Sequence, residues 1–406
     1  MVNTTGTRGL IAKRAAAAGL SGMLAILAAG CGGGSAPPKI VYPMPAVTIT
    51  PSTGTMNVRP DLPIHVVAAH GGRLTAVSVR DGNQDVPGQL DFEATGWTSL
   101  WTLHPGTTYV VQATATNLAG HSVTTTSTFQ TLRPAKTIST SLDWTLAASQ
   151  GQTYGIGLPI ILNFSRPVKY EAAVQQALVV QAQNPVPGAW RWITDEQVVY
   201  RAETFWPAYQ TVTLQAHLAG VQASPGVYGT EDQAYTFRIG AARISTVDIR
   251  THHIKVQIDG KVVRQYGISA GDGSAWVYTT PSGTALTMDK ERMVIMTNPN
   301  VPEGAPGWYR EPVPLAVRLT DSGIYLHETP GAEWCLGVAN CSHGCIRQPP
   351  AEAEWFYDTS QPADVVRVEG TDRPMSWDDG WTFYQMPWKQ WMAPSLARYT
   401  PGTGGA

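Results

Sequence analysis

The residues best suited to chemistry lie together in Ser342-His343-Gly344-Cys345-Ile346-Arg347, with His327 eighteen residues before Cys345. A thiol attacks as thiolate, so it needs a base or a positive field nearby. Histidine titrates in the range that lets it take such a proton and return it. Gly344, without a Cβ, permits a sharp turn just before the sulfur. Successive N–H groups around such a turn can converge on a developing oxyanion. Nucleophile, base and anion cradle thus fall within about twenty residues, the pattern of a cysteine acyl-transfer site.

Gly323-Ile324-Tyr325-Leu326-His327 followed by Ser342-His343-Gly344-Cys345-Ile346-Arg347 resembles the two-part signature of the L,D-transpeptidases (YkuD-type domain), which cross-link bacterial peptidoglycan. Similarity runs from about Ile244 to Gly370, and the layout resembles the membrane-anchored members with immunoglobulin-like modules ahead of the catalytic domain. The resemblance implies Cys345 as nucleophile and His327 as base, oriented by the carbonyl of Glu328. Where the closest multi-domain members often carry serine, Glu328 could raise the imidazole pKa if its carboxylate approached. His343 is then a structural or substrate-positioning group, and the N–H groups of Gly344 and Cys345 form the anion cradle. Tyr309 matches a lid tyrosine whose hydroxyl faces the same oxyanion. Arg347, at a position often asparagine in the closest members and arginine more widely, would pair with a carboxylate of the stem peptide. Ser342, Glu328 and Met296 complete the expected substrate-binding set.

The implied reaction starts with attack of Cys345 on the carbonyl of the third stem residue, a diamino acid, of a tetrapeptide donor. D-Ala leaves, and the side-chain amine of a second stem resolves the thioester into a 3→3 cross-link. Carbapenems would be expected to acylate the same sulfur. The residues do not separate this from the same thioester resolved by water (an L,D-carboxypeptidase) or by a protein amine (wall anchoring). A rival of another class is a non-catalytic wall-binding lipoprotein, in which Cys345 would be disulfide-bonded or unreactive.

A chain of 406 residues predicts two to four domains. Net charge of −2 with 14% charged residues offers no basic field for nucleic acid. The 40 glycines and 30 prolines suit a turn-rich β protein. There is no phosphate-binding glycine loop, dinucleotide fingerprint or His-Glu-x-x-His, so no cofactor is implied. Cys335, Cys341, His343 and Cys345 lack the paired C-x-x-C of structural zinc sites, and zinc on Cys345 would consume the nucleophile, so no metal is expected. Cys335 and Cys341 can close a small disulfide loop that leaves Cys345 free, whereas a bond from either to Cys345 would mask it.

The fold expected is mainly β: two immunoglobulin-like β-sandwich modules followed by a β-rich catalytic domain. Residues 1–31 carry basic residues, an apolar run and Leu27-Ala28-Ala29-Gly30-Cys31-Gly32, which resembles a lipoprotein processing site. Cys31 would then be lipidated, anchoring an extracytoplasmic protein that faces the wall, with residues 32–45 as a Gly-, Ser- and Pro-rich tether. Short alternating runs with turns at Asp81-Gly82, Pro87-Gly88 and Pro105-Gly106 mark module 1 over residues 46–134. The pattern recurs over residues 135–240 as module 2, with residues 170–180 read as an inserted helix and a faint internal repeat suggesting duplication. The catalytic domain spans residues 241–370, with a hairpin turn at Asp259-Gly260 and residues 350–357 as a short helix. Residues 298–314, rich in Pro and Gly, read as an irregular loop and a candidate substrate lid. Residues 371–406 hold four tryptophans between Trp377 and Trp391, and are expected to fold back on the catalytic domain as packing rather than as a sugar-stacking platform.

Overall fold

A computed structural model describes residues 42–393, apart from 83, 149, 299, 300, 306 and 307. The expected leader, the lipidated Cys31 and nearly all of the tether lie outside the described residues.

Module 1 is a sandwich of two antiparallel four-stranded sheets. One orders Ala46–Thr50, His65–Ala69, Gly96–Ser99 and Gly88–Leu90, and the other Gln84–Asp85, Arg73–Asp81, Thr108–Thr116 and Ser122–Gln130. Strict alternation along Thr108–Thr116 buries Tyr109, Val111, Ala113 and Ala115. Gly88, expected in a turn, instead opens a strand. A Cβ there would fall 1.9 Å from the Trp97 ring, so the glycine admits the buried indole beneath the backbone.

Module 2 is again a sandwich of two four-stranded sheets, although Thr153–Tyr154 joins Gln233–Ile239 in parallel and a further three-stranded sheet orders Gln222–Ser224, Val227–Gly229 and Lys136–Ile138. Its sheets order Thr140–Leu142, Ile160–Phe164, Gln197–Ala202, Gly188–Thr194, and Thr153–Tyr154, Gln233–Ile239, Gln210–Ala216, Leu178–Ala182. The expected helix is shorter than read: Glu171–Gln176 is helical, but Leu178–Ala182 is an edge strand paired with Gln210–Ala216. The β-branched pair Val179-Val180 and the free sheet edge prevail over local helical pattern.

The catalytic domain stacks two sheets. The first orders Lys261–Gly267, His253–Ile258, Arg243–Asp248, Val365–Glu369 and Gly283–Leu286. Asp259 and Gly260 both take positive φ (51° and 77°), the tight turn read from the sequence. The second sheet orders Lys290–Thr297, Arg310–Arg318, Tyr325–Glu328 and Ile346–Gln348, the last two parallel. Between the sheets lie Val247, Ile254, Leu326, Ile346 and Val366, closed by Phe356 of the helix Pro350–Thr359.

The expected irregular stretch is shorter than read, because Arg310–Arg318 is a strand that pairs Pro312 with Ile295 and Pro314 with Met293. On its other side, among the described residues, only Val317 and Arg318 have partners, so the two prolines sit where that edge is unpaired and forfeit no second ladder. The result is a hairpin flap of Lys290–Thr297 and Arg310–Arg318.

The aromatic extension packs on more than the catalytic domain. Trp381, Phe383, Met386 and Trp391 enter one core with Trp192 and Val198 of module 2 and Leu286, Met288 and Val365 of the catalytic domain. Arg201, 2% exposed, donates to the Met386 carbonyl at 2.7 Å and lies 4.7–5.3 Å from the rings of Tyr384, Trp388 and Trp391. A buried guanidinium must find acceptors and aromatic faces, and the extension supplies both.

Candidate active site

Parallel pairing of Tyr325–Glu328 with Ile346–Gln348 sets His327 opposite Arg347 and places Cys345 immediately before the second strand. Base and nucleophile therefore arrive at one end of the sheet through the backbone ladder alone.

The turn ahead of Cys345 is closed by Ser342. Its buried hydroxyl donates to the Cys345 carbonyl at 2.6 Å and accepts the Gly344 N–H at 3.1 Å. Thr280 Oγ1 donates to the Gly344 carbonyl at 2.7 Å. Gly344 has φ +134°, a backbone position that side chains rarely take. Two expectations change here. The Gly344 N–H is engaged by Ser342 rather than open to an oxyanion, while no turn or loop hydrogen bond among the described residues engages the Cys345 N–H. The Ser342 hydroxyl is spent on the backbone rather than offered to substrate, as expected for a buried serine beside unpaired main-chain groups.

The Cys345 thiol donates to the Gly323 carbonyl at 3.4 Å. Burial pushes it up to about 11, against the opposing pull of the Tyr325 N–H and the Arg347 charge. Burial pushes His327 down to about 4, helped by Arg347 and opposed by the bond from Nδ1 to the Glu328 carbonyl. The resting pair is thus neutral thiol and neutral imidazole. With Nδ1 bonded to a carbonyl it must carry the proton, leaving Nε2 as the acceptor. The Glu328 side chain, expected among the substrate contacts, does not line the cavity, because strand alternation turns it from the face that carries His327. Its carboxylate is not among the groups that shift the imidazole.

The cavity over the sulfur is about 530 Å³ and is walled by His327, His343, Cys345 and Arg347, with Met296 and Tyr309 from the flap. Tyr309 stacks on His343 (centroids 4.9 Å, 13°), and Tyr278 lies 4.9 Å from the same imidazole, tilted by 58°. Burial raises the Tyr309 hydroxyl, with the Cys345 charge next in weight. Sequence reasoning missed Tyr278, which accepts a 3.0 Å bond from Asn298 at the base of the flap tip. It also missed Arg373, which lines the cavity and holds the Thr279 carbonyl at 2.8 Å. Neither belongs to a motif, and both reach the site only through tertiary contact.

Cys335 and Cys341 form a disulfide and Cys345 is free. The Arg347 Nη1 donates to the Cys341 carbonyl at 3.1 Å and contacts its sulfur at 3.3 Å. Among the described residues no carboxylate pairs with Arg347.

Comparison with known proteins matches residues 55–222 to the bacterial Ig domain and residues 242–368 to the L,D-transpeptidase catalytic domain. L,D-transpeptidase 2 of Mycobacterium tuberculosis (strain CDC 1551 / Oshkosh) is 29% identical over 383 residues, 91% of this chain and 92% of that protein. Probable L,D-transpeptidase 3 of Mycobacterium tuberculosis (strain ATCC 25618 / H37Rv) is 30% identical over 241 residues, 54% of this chain and 84% of that one. Among solved structures, L,D-transpeptidase 3 from Mycobacterium tuberculosis in complex with a faropenem-derived adduct is 29% identical, covers 57% of this chain and 97% of that chain, and has a TM-score of 0.47. Such agreement along most of the relatives' length, over a site with a free cysteine, means that the chain belongs to the L,D-transpeptidase family and is a peptidoglycan L,D-transpeptidase.

Proposed function

We propose that Cys345 carries the acyl group and His327 the proton in a 3→3 cross-linking reaction. The observation that carries this reading is His327, its Nδ1 bonded to the Glu328 carbonyl so that Nε2 can accept, lining one cavity with the free thiol of Cys345. The thiol proton passes to His327 as sulfur bonds to the carbonyl carbon of the third stem residue. The tetrahedral oxyanion takes hydrogen bonds from the Cys345 N–H and the Tyr309 hydroxyl. Its collapse breaks the peptide C–N bond, and His327 returns the proton to the departing D-Ala amine. The side-chain amine of a second stem then attacks the thioester, gives up a proton to His327, and releases the thiol. A general base supplies about 10²–10⁴-fold, and each oxyanion donor about 10²–10³-fold. Arg347, with no carboxylate partner among the described residues, pairs with a stem-peptide carboxylate, and Met296 with the Tyr278–His343–Tyr309 group walls the donor peptide. Carbapenems acylate the same sulfur, since ring opening of a β-lactam uses the same nucleophile and donors. The chain works outside the cytoplasm, held at the membrane by a lipid on Cys31, as residues 27–32 suggest.

The test uses protein lacking residues 1–35 with a disaccharide-tetrapeptide, read by mass spectrometry beside Cys345→Ala. Cross-linked dimer with free D-Ala, both lost in the variant, is expected. Tripeptide monomer without dimer would make the enzyme a carboxypeptidase, and turnover surviving in Cys345→Ala would remove the thiol from the mechanism. Labelled fatty acid on the full chain, absent from Cys31→Ser, checks the anchor.

A further inference from the structure

We propose that Asp379, in the aromatic extension, is a positioning residue for the nucleophile, holding the turn whose carbonyl sets the resting orientation of the Cys345 thiol. The inference rests on Cys345 being the attacking group. The Asp379 carboxylate accepts the Ser322 N–H at 2.7 Å through Oδ1 and the Ser322 hydroxyl through Oδ2. The next residue, Gly323, offers the carbonyl that accepts the Cys345 S–H at 3.4 Å. Ser322 and Gly323 both line the catalytic cavity, fifty-seven and fifty-six residues before Asp379 in the chain.

Independent features fix this contact from both sides. On the turn, Thr320 Oγ1 lies 3.0 Å from Ser322 Oγ and accepts the Ile324 N–H at 3.1 Å, and Gly323 has φ +97°. On the extension, the Asp379 N–H donates to Thr382, which is fully buried, and Trp381 and Phe383 are anchored in the shared core. Gly380 makes the approach possible: a Cβ there would meet the Met288 sulfur at 2.8 Å and the Asp321 nitrogen at 3.1 Å. The Tyr325 N–H at the same sulfur is different, because Tyr325 is held by its own strand pairing with Arg318. Losing Asp379 should therefore loosen the acceptor side of the thiol and leave the donor side in place. A carbonyl acceptor favours the protonated thiol, so its loss eases ionisation.

The experiment compares Asp379→Ala, Asp379→Asn and Ser322→Ala in the protein lacking residues 1–35, with Cys345→Ala in parallel. Three quantities are read: kcat against KM for cross-linking, the pH midpoint of iodoacetamide alkylation at Cys345, and Tm. Besides Asp379, the ionisable groups around the sulfur and the turn include His327, His343, Arg347, Arg373, Tyr278, Tyr309, Tyr325, Glu311, Asp321 and Arg318. Asp379→Ala is expected to lower kcat by about 10–100-fold, the scale of a misplaced reacting group. KM should stay within about twofold and the alkylation midpoint should fall. Asp379→Asn can keep both links to Ser322 and should stay within about threefold of wild type. Ser322→Ala, which keeps the carboxylate charge, should move kcat and midpoint in the same direction by less, and it decides the matter if Asp379→Ala does not fold. Wild-type kcat in Asp379→Ala, equal impairment of the Ala and Asn variants, or a loss of Tm without a midpoint change would each overturn the proposal. Turnover persisting in Cys345→Ala would instead overturn the nucleophile assignment, so the two failures are distinguishable.

Discussion

The two immunoglobulin-like modules share a plan and differ in what they are joined to. Module 1 closes its core on itself, with Ile64, Val66, Val111 and Phe129 in a cluster that contains no residue of the catalytic domain. The core of module 2 runs without interruption into Leu286, Met288, Ala363 and Val365 of the catalytic domain and Trp381 and Trp391 of the extension. Backbone also meets backbone there: Gly155 donates to the Pro362 carbonyl at 2.7 Å, and a Cβ on it would lie 2.3 Å from the Ala363 oxygen. Module 1 instead meets module 2 through discrete contacts, such as Trp101 stacked on His217 at 3.9 Å and Thr102 bonded to the Ala219 carbonyl. The same architecture thus serves once as an attached module and once as part of the catalytic body. What separates the two is whether apolar side chains cross the boundary.

The harshest way to break this contrast is to delete residues 376–393. That uncovers Trp192, Leu286, Met288 and Val365 together, and the expected result on size exclusion is aggregate with no folded monomer. A monomer with unchanged Tm would mean that the core is not shared. A milder cut is Arg201→Ala, which removes a buried cation from three rings and from the Met386 carbonyl. It should cost about 3 kcal/mol in urea unfolding and lower Tm by several degrees.

A pH series sharpens the comparison further. His327 is held near 4 when folded, below the ordinary value of 6.5, so the unfolded chain binds the extra proton first. His327 should therefore cost about 1.5 kcal/mol of stability as pH drops from 6.5 to 5, read as the difference between wild type and His327→Gln, because Asp364, pushed up to about 7 by burial, works in the opposite direction in both proteins. That difference should survive removal of module 1, measured by urea unfolding at several pH values. The smallest effect is expected from deleting residues 42–133, which should leave kcat/KM within about threefold and the Tm of the remaining body unchanged. A large loss would show that module 1, too, is part of the catalytic body.

The legible parts of this enzyme were the local ones. Gly344 and Cys345 could be read because a glycine before a nucleophile has one mechanical use, and Asp259-Gly260 because a two-residue turn advertises its own geometry. Stretches with competing local tendencies misled. Leu178–Ala182 carries a helical pattern into a strand because an edge was waiting for it, and Pro312 and Pro314 disguise a strand that needs only one partner. Glu328 has no side-chain role at the cavity, because strand alternation, visible in the sequence once His327 is placed, turns it away. Tyr278, Arg373 and Asp379 left no trace in the sequence, because each acts on residues dozens of positions away and belongs to no periodic pattern.

The strand Arg310–Arg318 has one more consequence. Among the described residues, nothing pairs with its outer edge before Val317, and neither Pro312 nor Pro314 has a hydrogen to offer along it. An extended peptide sliding past would meet carbonyls with no matching run of donors, and could not be zipped on as a further strand. The flap can lie beside an extended peptide without being stitched to it.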